Sequence, residues 1–241
     1  AKLQRLVKSG KDLESLAALW ALYQGFGLDR ETALAALQHE YPLVRYWAVR
    51  LICDDVGFAN KRVTVGLTDS LGELTDGPTR VADDLFRAIL ALTAREDNAE
   101  VRSQIAGSAR RLPADQALPL VSAVLKHSED IDDPYVPLLC WWVLEYNLDR
   151  ERDAVLALFE DASFRSEPMV VKHLLGRMMR GLALKGKHHD LQQCAKLLAL
   201  AKDQTQVDEL LKGFEQAYAG RRMVGLPENL ARALVDSGRS S

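Results

Sequence analysis

The sequence has very little of what normally announces a chemistry. Its 241 residues hold three cysteines, Cys53, Cys140 and Cys194, far apart and odd in number. No CxxC or CxxCH joins them, which argues against covalent haem attachment and a cysteine-based zinc site in this chain. Cys53 in "RLICDD" and Cys140 in "LLCWW" sit in apolar runs, where a free thiol behaves as a small hydrophobe. There is no GxxxxGK[ST], GxGxxG or GxSxG, so the common phosphate cradles and the nucleophile elbow are missing. Charge of one sign is lacking too: the net charge is −3, without the basic excess that phosphate neutralisation demands of a nucleic-acid-wrapping protein. No apolar run reaches the ~20 residues that span a bilayer, so no membrane span is expected in this segment.

Isolated polar clusters do not fill the gap. His188 and His189 in "KGKHHD" are adjacent, and neighbours on a helix point about 100° apart, a poor arrangement for sharing a metal. They read as an exposed loop, with Asp190 placed to cap the next helix. The acidic pairs Asp54-Asp55, Asp83-Asp84 and Asp132-Asp133 have nothing beside them that would tune a carboxyl for acid–base work. No catalytic residue, cofactor or metal is expected in the chain.

What is present is helix. With 48% hydrophobic residues the chain can bury a substantial core. Apolar residues recur at helical spacing almost throughout, as in "LESLAALWALYQGFG", where Leu13, Leu16, Ala17, Leu19, Trp20 and Tyr23 form one expected stripe. Strand-like alternation is confined to "KRVTVGLT" (61–68), inside a Gly/Asp/Thr-rich stretch, 57–80, that reads as an irregular insertion.

The helices repeat. Four segments open with a polar or proline-bearing turn, then a valine, then a helix: "YPLVRYWAVRL" (Val44), "NAEVRSQIAGSARRL" (Val101), "DPYVPLLCWWVLEYNL" (Val136) and "EPMVVKHLLGRMMRGL" (Val170). The valines stand 57, 35 and 34 residues apart, and the long step is explained by the insertion. Each valine helix follows another amphipathic helix, giving pairs of period ~34–47 residues that must stack to cover their apolar faces. Asn98, Asp133-Pro134 and Glu167-Pro168 supply N-terminal cap and first-turn chemistry. The fold class is all-α: a right-handed α-α superhelix resembling HEAT repeats, forming a single domain over 1–241.

The segment "DPYVPLLCWWVLE" (133–145) is the most conspicuous in the chain. As a helix it makes one apolar stripe of Val136, Leu139, Cys140, Val143 and Leu144, with Pro137 tolerated in the first turn. Trp141 and Trp142 then point about 100° apart, so one packs between repeats and the other leans toward the surface. Pro137, Trp141 and Glu145 share a line that falls on the concave side. The same reasoning turns Tyr46 and Arg50 away from the Val44/Trp47/Ala48/Leu51 stripe, and Arg102, Ala106 and Arg110 away from the stripe of the second valine helix. Tyr46, Arg50, Arg102, Arg110, Trp141 and Glu145 are thus the candidate partner-binding surface. The rival readings are pure packing for the tryptophans, solvated arginines without a partner, and nucleobase stacking on Trp141.

"LAALWALYQGFGLDRETALAALQHEYPLVRYWAVRLICD" and "DDPYVPLLCWWVLE" together resemble the HEAT-like region of the bacterial PVC-type haem-binding CxxCH proteins, also described as membrane-bound dehydrogenases. The C-terminal "LLKGFEQAYAGRR…LPENL" is similar to their continuation, whereas 57–80 is harder to match. In that family a sugar-dehydrogenase-like β-propeller precedes the HEAT-like repeats and a cytochrome c domain carrying CxxCH follows. This chain has neither, so the resemblance carries over no catalytic residue and no haem. It implies a non-catalytic scaffold or protein-interaction module excised from a larger, periplasmic or exported redox protein, with protein or neighbouring domains as partners. The alternative is a nucleic-acid-binding HEAT-like protein akin to the alkylpurine DNA glycosylases, for which Trp141, Arg102 and Asp133 are the candidate residues.

Overall fold

Several helix starts in this chain are fixed by short polar side chains that satisfy otherwise orphaned first-turn N–H groups. In the computed structural model, which describes residues 2–54, 80–220, 222, 223 and 225–238, Asn98 accepts from the N–H groups of Glu100 and Val101 at 3.0 and 3.2 Å, as expected from its place before Val101. Asp133 Oδ1 accepts from Tyr135 and Val136, both at 2.8 Å. Pro137 and Pro168 both lie in a first helical turn. Glu167 flanks its helix without a side-chain cap bond, so proline alone marks that start.

The described residues form only helices, turns and loops, which makes the fold all-α. The helices are α1 (Lys2–Ser9), α2 (Leu13–Gly25), α3 (Arg30–Ala36), α4 (Pro42–Asp54), α5 (Asp83–Thr93), α6 (Ala99–Ala109) and α7 (Ala114–Val124). After a 3-10 turn at Ser128–Asp130 come α8 (Val136–Leu148), α9 (Arg152–Glu160), α10 (Ala162–Arg165), α11 (Pro168–His173), α12 (Leu175–Lys185), α13 (His188–Leu200), α14 (Gln204–Tyr218) and α15 (Glu228–Gly238). The strand-like stretch at 61–68 and the expected irregular insertion at 57–80, Arg80 apart, lie outside the described residues.

The chain divides into two compact units, Ala1–Val124 and Leu125–Ser241. Within the first, α1, α3, α5 and α7 pack in succession, and α2, α4 and α6 form a second succession beside them. Within the second, α8, α11/α12 and α14 form one succession and α9, α13 and α15 the other. Helices two apart in sequence are therefore neighbours throughout the first unit, and in the second at α12–α14 and α13–α15.

The four valines that define the repeat are all completely buried. Counting from each valine, the residues four, five and eight positions on are buried in every case, whereas those two, three, six and ten positions on are half-buried or exposed. Val170 keeps this register although its helix is broken at Leu174 between α11 and α12.

Arginines lock the turns. Arg45 Nη1 donates to the carbonyls of His39 and Glu40, each at 2.8 Å. Arg102 Nη1 donates to the Glu96 carbonyl at 2.8 Å, and Arg165 Nη1 to those of Phe159 and Glu160 at 2.9 and 2.7 Å. Each arginine thus reaches back six residues, Arg45 and Arg102 to the turn before their helix and Arg165 to the end of α9. Arg45 also grips the buried Glu96 carboxylate in a bidentate pair, Nε and Nη2 at 2.7 and 2.6 Å, tying one turn to the next. Arg165 Nη2 makes the matching reach to the Leu200 carbonyl at 2.9 Å.

His39 completes the N-terminal end. Its Nδ1 accepts from the Tyr41 N–H at 3.0 Å, which leaves Nε2 protonated to donate to Ser15 Oγ at 3.1 Å. Ser15 passes its own proton to the Leu6 carbonyl at 3.0 Å, so a single chain of donors joins α1, α2 and the α3–α4 turn.

Candidate functional site

The positions left exposed by the valine register supply the candidate surface. In the first unit they carry Tyr46, Trp47, Arg50 and Asp54 on α4, and Ser103, Gln104 and Gly107 on α6 with Arg111 just beyond it. Trp20 of α2 meets Trp47 edge to face, with ring centroids 5.1 Å apart at 87°, and Tyr46 meets Trp47 at 5.9 Å. The Arg50 guanidinium lies 5.2 Å over the Trp47 ring, a cation–π contact. Asp54 then holds two arginines: Arg50 Nε at 3.4 Å and, from the far side, Arg111 Nη2 at 2.5 Å. Arg111 also donates to Ser108 Oγ at 3.2 Å. A Cβ built on Gly107 would meet nothing within 4 Å, so open space lies above α6 between the aromatic and arginine ends.

In the second unit the equivalent positions of α8 carry Leu138, Leu139, Trp142 and Tyr146. Trp142 is 48% exposed, and the Arg150 guanidinium sits 3.7 Å over the Tyr146 ring.

Of the six residues expected on the partner surface, Tyr46 and Arg50 lie on the α4 stripe, half-buried and exposed respectively. Arg102 does not: it is 2% exposed, one residue after its valine, and acts as a turn clamp. Trp141 does not either. At 7% exposure it sits five residues after Val136, where Val49, Ala106 and Leu175 are also buried in their helices. Its ring reaches toward Gly181 of α12, whose Cβ would lie 3.9 Å from Cη2. The conspicuous tryptophan pair is split as expected, but Trp141 is the packing residue and Trp142 the outward one. Arg110 is half-buried and Glu145 exposed, both nine positions after their valines and off the shared stripe. The physical cause of both misplacements is helix phase: the expected outward faces of α6 and α8 lie one position early, and one residue turns a side chain by about 100°.

The residues proposed for nucleic-acid recognition are thus engaged elsewhere. Trp141 and Arg102 are buried, and the Asp133 carboxylate caps α8.

Sequence reasoning missed Trp20 and Trp47 as surface residues. The expected apolar stripe of α2 joins Trp20 to Leu13 and Ala17, yet Trp20 is 41% exposed, Leu13 66%, and Ala17 exposed as well. The helix is apolar on nearly every side, so its own pattern does not set its phase; the valine register of α4 was the signal that could have found Trp47.

No family model, curated protein or solved structure matches the chain. Its function therefore rests on its own residues.

Other polar groups read as structural. Asp190 is not a cap but a fully buried third residue of α13, paired with Arg152 Nη2 at 2.6 Å. His188 and His189 are exposed in the first turn of the same helix. Burial pushes the Cys53 and Cys194 thiols up to about 12, and raises Cys140 as well. Among the described residues no group of three or more His, Cys, Asp or Glu is placed to hold a metal, and no helix is long and apolar enough to cross a membrane. An open pocket of about 230 Å³ between the α3–α4 and α5–α6 turns is lined by Arg45, Glu96, Arg95 and His39 among others. Its central charges are already spent on the Arg45–Glu96 clamp.

Proposed function

We propose that the chain is a HEAT-like, right-handed α-solenoid acting as a non-catalytic scaffold or protein-interaction module, within a larger exported haem-binding redox protein of the PVC type. The observation that carries this reading is the half-exposed stripe found at the same register on successive valine helices. Such a stripe offers a partner an extended surface and leaves the core of each pair intact. Supporting the solenoid itself are the succession of helices two apart in the first unit and at α12–α14 and α13–α15, the four buried valines and the recurring arginine clamps. The tie to a redox protein rests on the sequence resemblance alone.

The test is calorimetric titration of the chain with the propeller and cytochrome c domains expressed from the gene that encodes it. A one-to-one complex tighter than about 100 μM, a modest affinity for domains joined in one polypeptide, is the expected result. Absence of both domains from the gene, or stoichiometric turnover of a small molecule by the isolated chain, would remove the reading.

A further inference from the structure

Resting on the reading of the chain as an interaction module, we propose that the α2–α4–α6 face of the first unit binds a short, extended, acidic peptide. The apolar anchor of that peptide sits on Trp20 and Trp47, and its carboxylate sits on Arg111 and Arg50. The face has a direction. Aromatic side chains gather where α2 meets α4, and two guanidinium groups gather around Asp54 where α4 meets the end of α6. Between them Gly107 leaves open space through which a peptide backbone can approach α6.

Charge selects the occupant. Among the described residues, Asp54 is one carboxylate shared by two arginines, which leaves one positive charge in excess there. A carboxylate from outside satisfies both. Packed helices stand about 8–10 Å apart, so a ligand crossing from α2 to α6 covers about 16–20 Å. An extended chain of about six residues spans that distance.

The aromatic geometry favours a peptide over a nucleic acid. Trp47 already has Trp20 at its edge and Arg50 over its ring, so it offers little free face for base stacking.

The experiment is an array of capped hexapeptides carrying Pro or Leu at the first position and Asp or Glu at the fifth or sixth. Matched peptides carry Asn or Gln in place of the acids, and a ten-nucleotide oligothymidylate is included. Hits are titrated in solution against the full chain. Acidic peptides are expected to bind, and to lose about tenfold or more when the acid becomes an amide, since a charge-assisted hydrogen bond is removed. Trp20→Ala and Arg50→Gln, both on exposed side chains, are each expected to weaken binding by at least about fivefold. Trp142→Ala, on the exposed stripe of the second unit, is the control expected to leave it unchanged. Equal binding of acid and amide peptides, loss on Trp142→Ala, tighter binding of the oligonucleotide, or no binding by any peptide would each overturn the proposal. If the peptides fail while the propeller or cytochrome c domain still binds, the peptide site falls and the scaffold reading stands. If both fail, so does the scaffold.

Discussion

Replacing Gly213 by alanine sets two effects of opposite sign against each other. Gly213 lies inside α14, where glycine costs about 1 kcal/mol relative to alanine, so propensity alone makes Gly213→Ala stabilising. Packing says the reverse. A Cβ on Gly213 would sit 2.1 Å from the Gly176 carbonyl oxygen, 2.7 Å from its carbon and 2.8 Å from its Cα. All three are backbone atoms of α12, so no side chain can swing aside. Ordinary contact needs about 3.5 Å, so the two helices must part by more than an ångström along a seam that buries Met178, Met179, Leu210 and Phe214. Overpacking in a well-filled core costs about 1–3 kcal/mol, and a rigid backbone neighbour puts this site at or beyond the upper end. The net expectation is a loss of about 2–4 kcal/mol, which lowers the melting temperature by about 10 °C for a unit of this size. Urea and thermal unfolding followed by circular dichroism measure it. Gly107→Ala is the internal control: with open space above it, only the propensity gain of up to about 1 kcal/mol remains. A Gly213→Ala protein as stable as the parent, or more so, would show that α12 and α14 do not approach this closely.

Three further perturbations have definite outcomes. Arg45→Met leaves the Glu96 carboxylate buried without its counter-charge and is expected to cost about 3–5 kcal/mol in urea denaturation, with Glu96→Gln in the same chain recovering part of it. Asp29 caps α3; burial alone would raise its carboxyl, but hydrogen bonds from Thr32 and Gln4 outweigh that and hold it at about 2, against an ordinary 3.8. The unfolded chain therefore binds more protons between those values, so the cap stabilises fully above about pH 4 and fades as pH falls toward 2. Asp29→Ala should accordingly cost about 1 kcal/mol at neutral pH and little at pH 2, read from denaturation at both; a pH-independent difference would contradict this. Finally, Cys53, Cys140 and Cys194 are buried with raised thiols, so a disulfide reagent such as DTNB is expected to label none of them in the native state at pH 8 and all three in urea.

The helices were legible because their apolar spacing is regular and their starts carry Asn98, Asp133 and Pro168 at the right places. The spacing of Val44, Val101, Val136 and Val170 was legible too, and all four are buried. What the sequence obscured was helix phase. On α8 the run "VPLLCWWVL" is apolar on almost every side, so nothing local says which tryptophan faces out. Carrying the register of α4 to the other helices would have moved the expected surface from Arg102 to Ser103 and Gln104, and from Trp141 to Trp142. The turn role of Arg102 was hidden for a different reason: an arginine just inside a helix looks solvated until the carbonyl it reaches back to is seen.

The arginine clamps also govern where the chain can change length. Arg45, Arg102 and Arg165 each count back six residues to a fixed carbonyl, so one residue added within 39–45, 96–102 or 159–165 would break that reach. The repeat carries its extra residues elsewhere, between Asp54 and Arg80. Insertions and grafted segments are therefore least tolerated inside the three clamped turns.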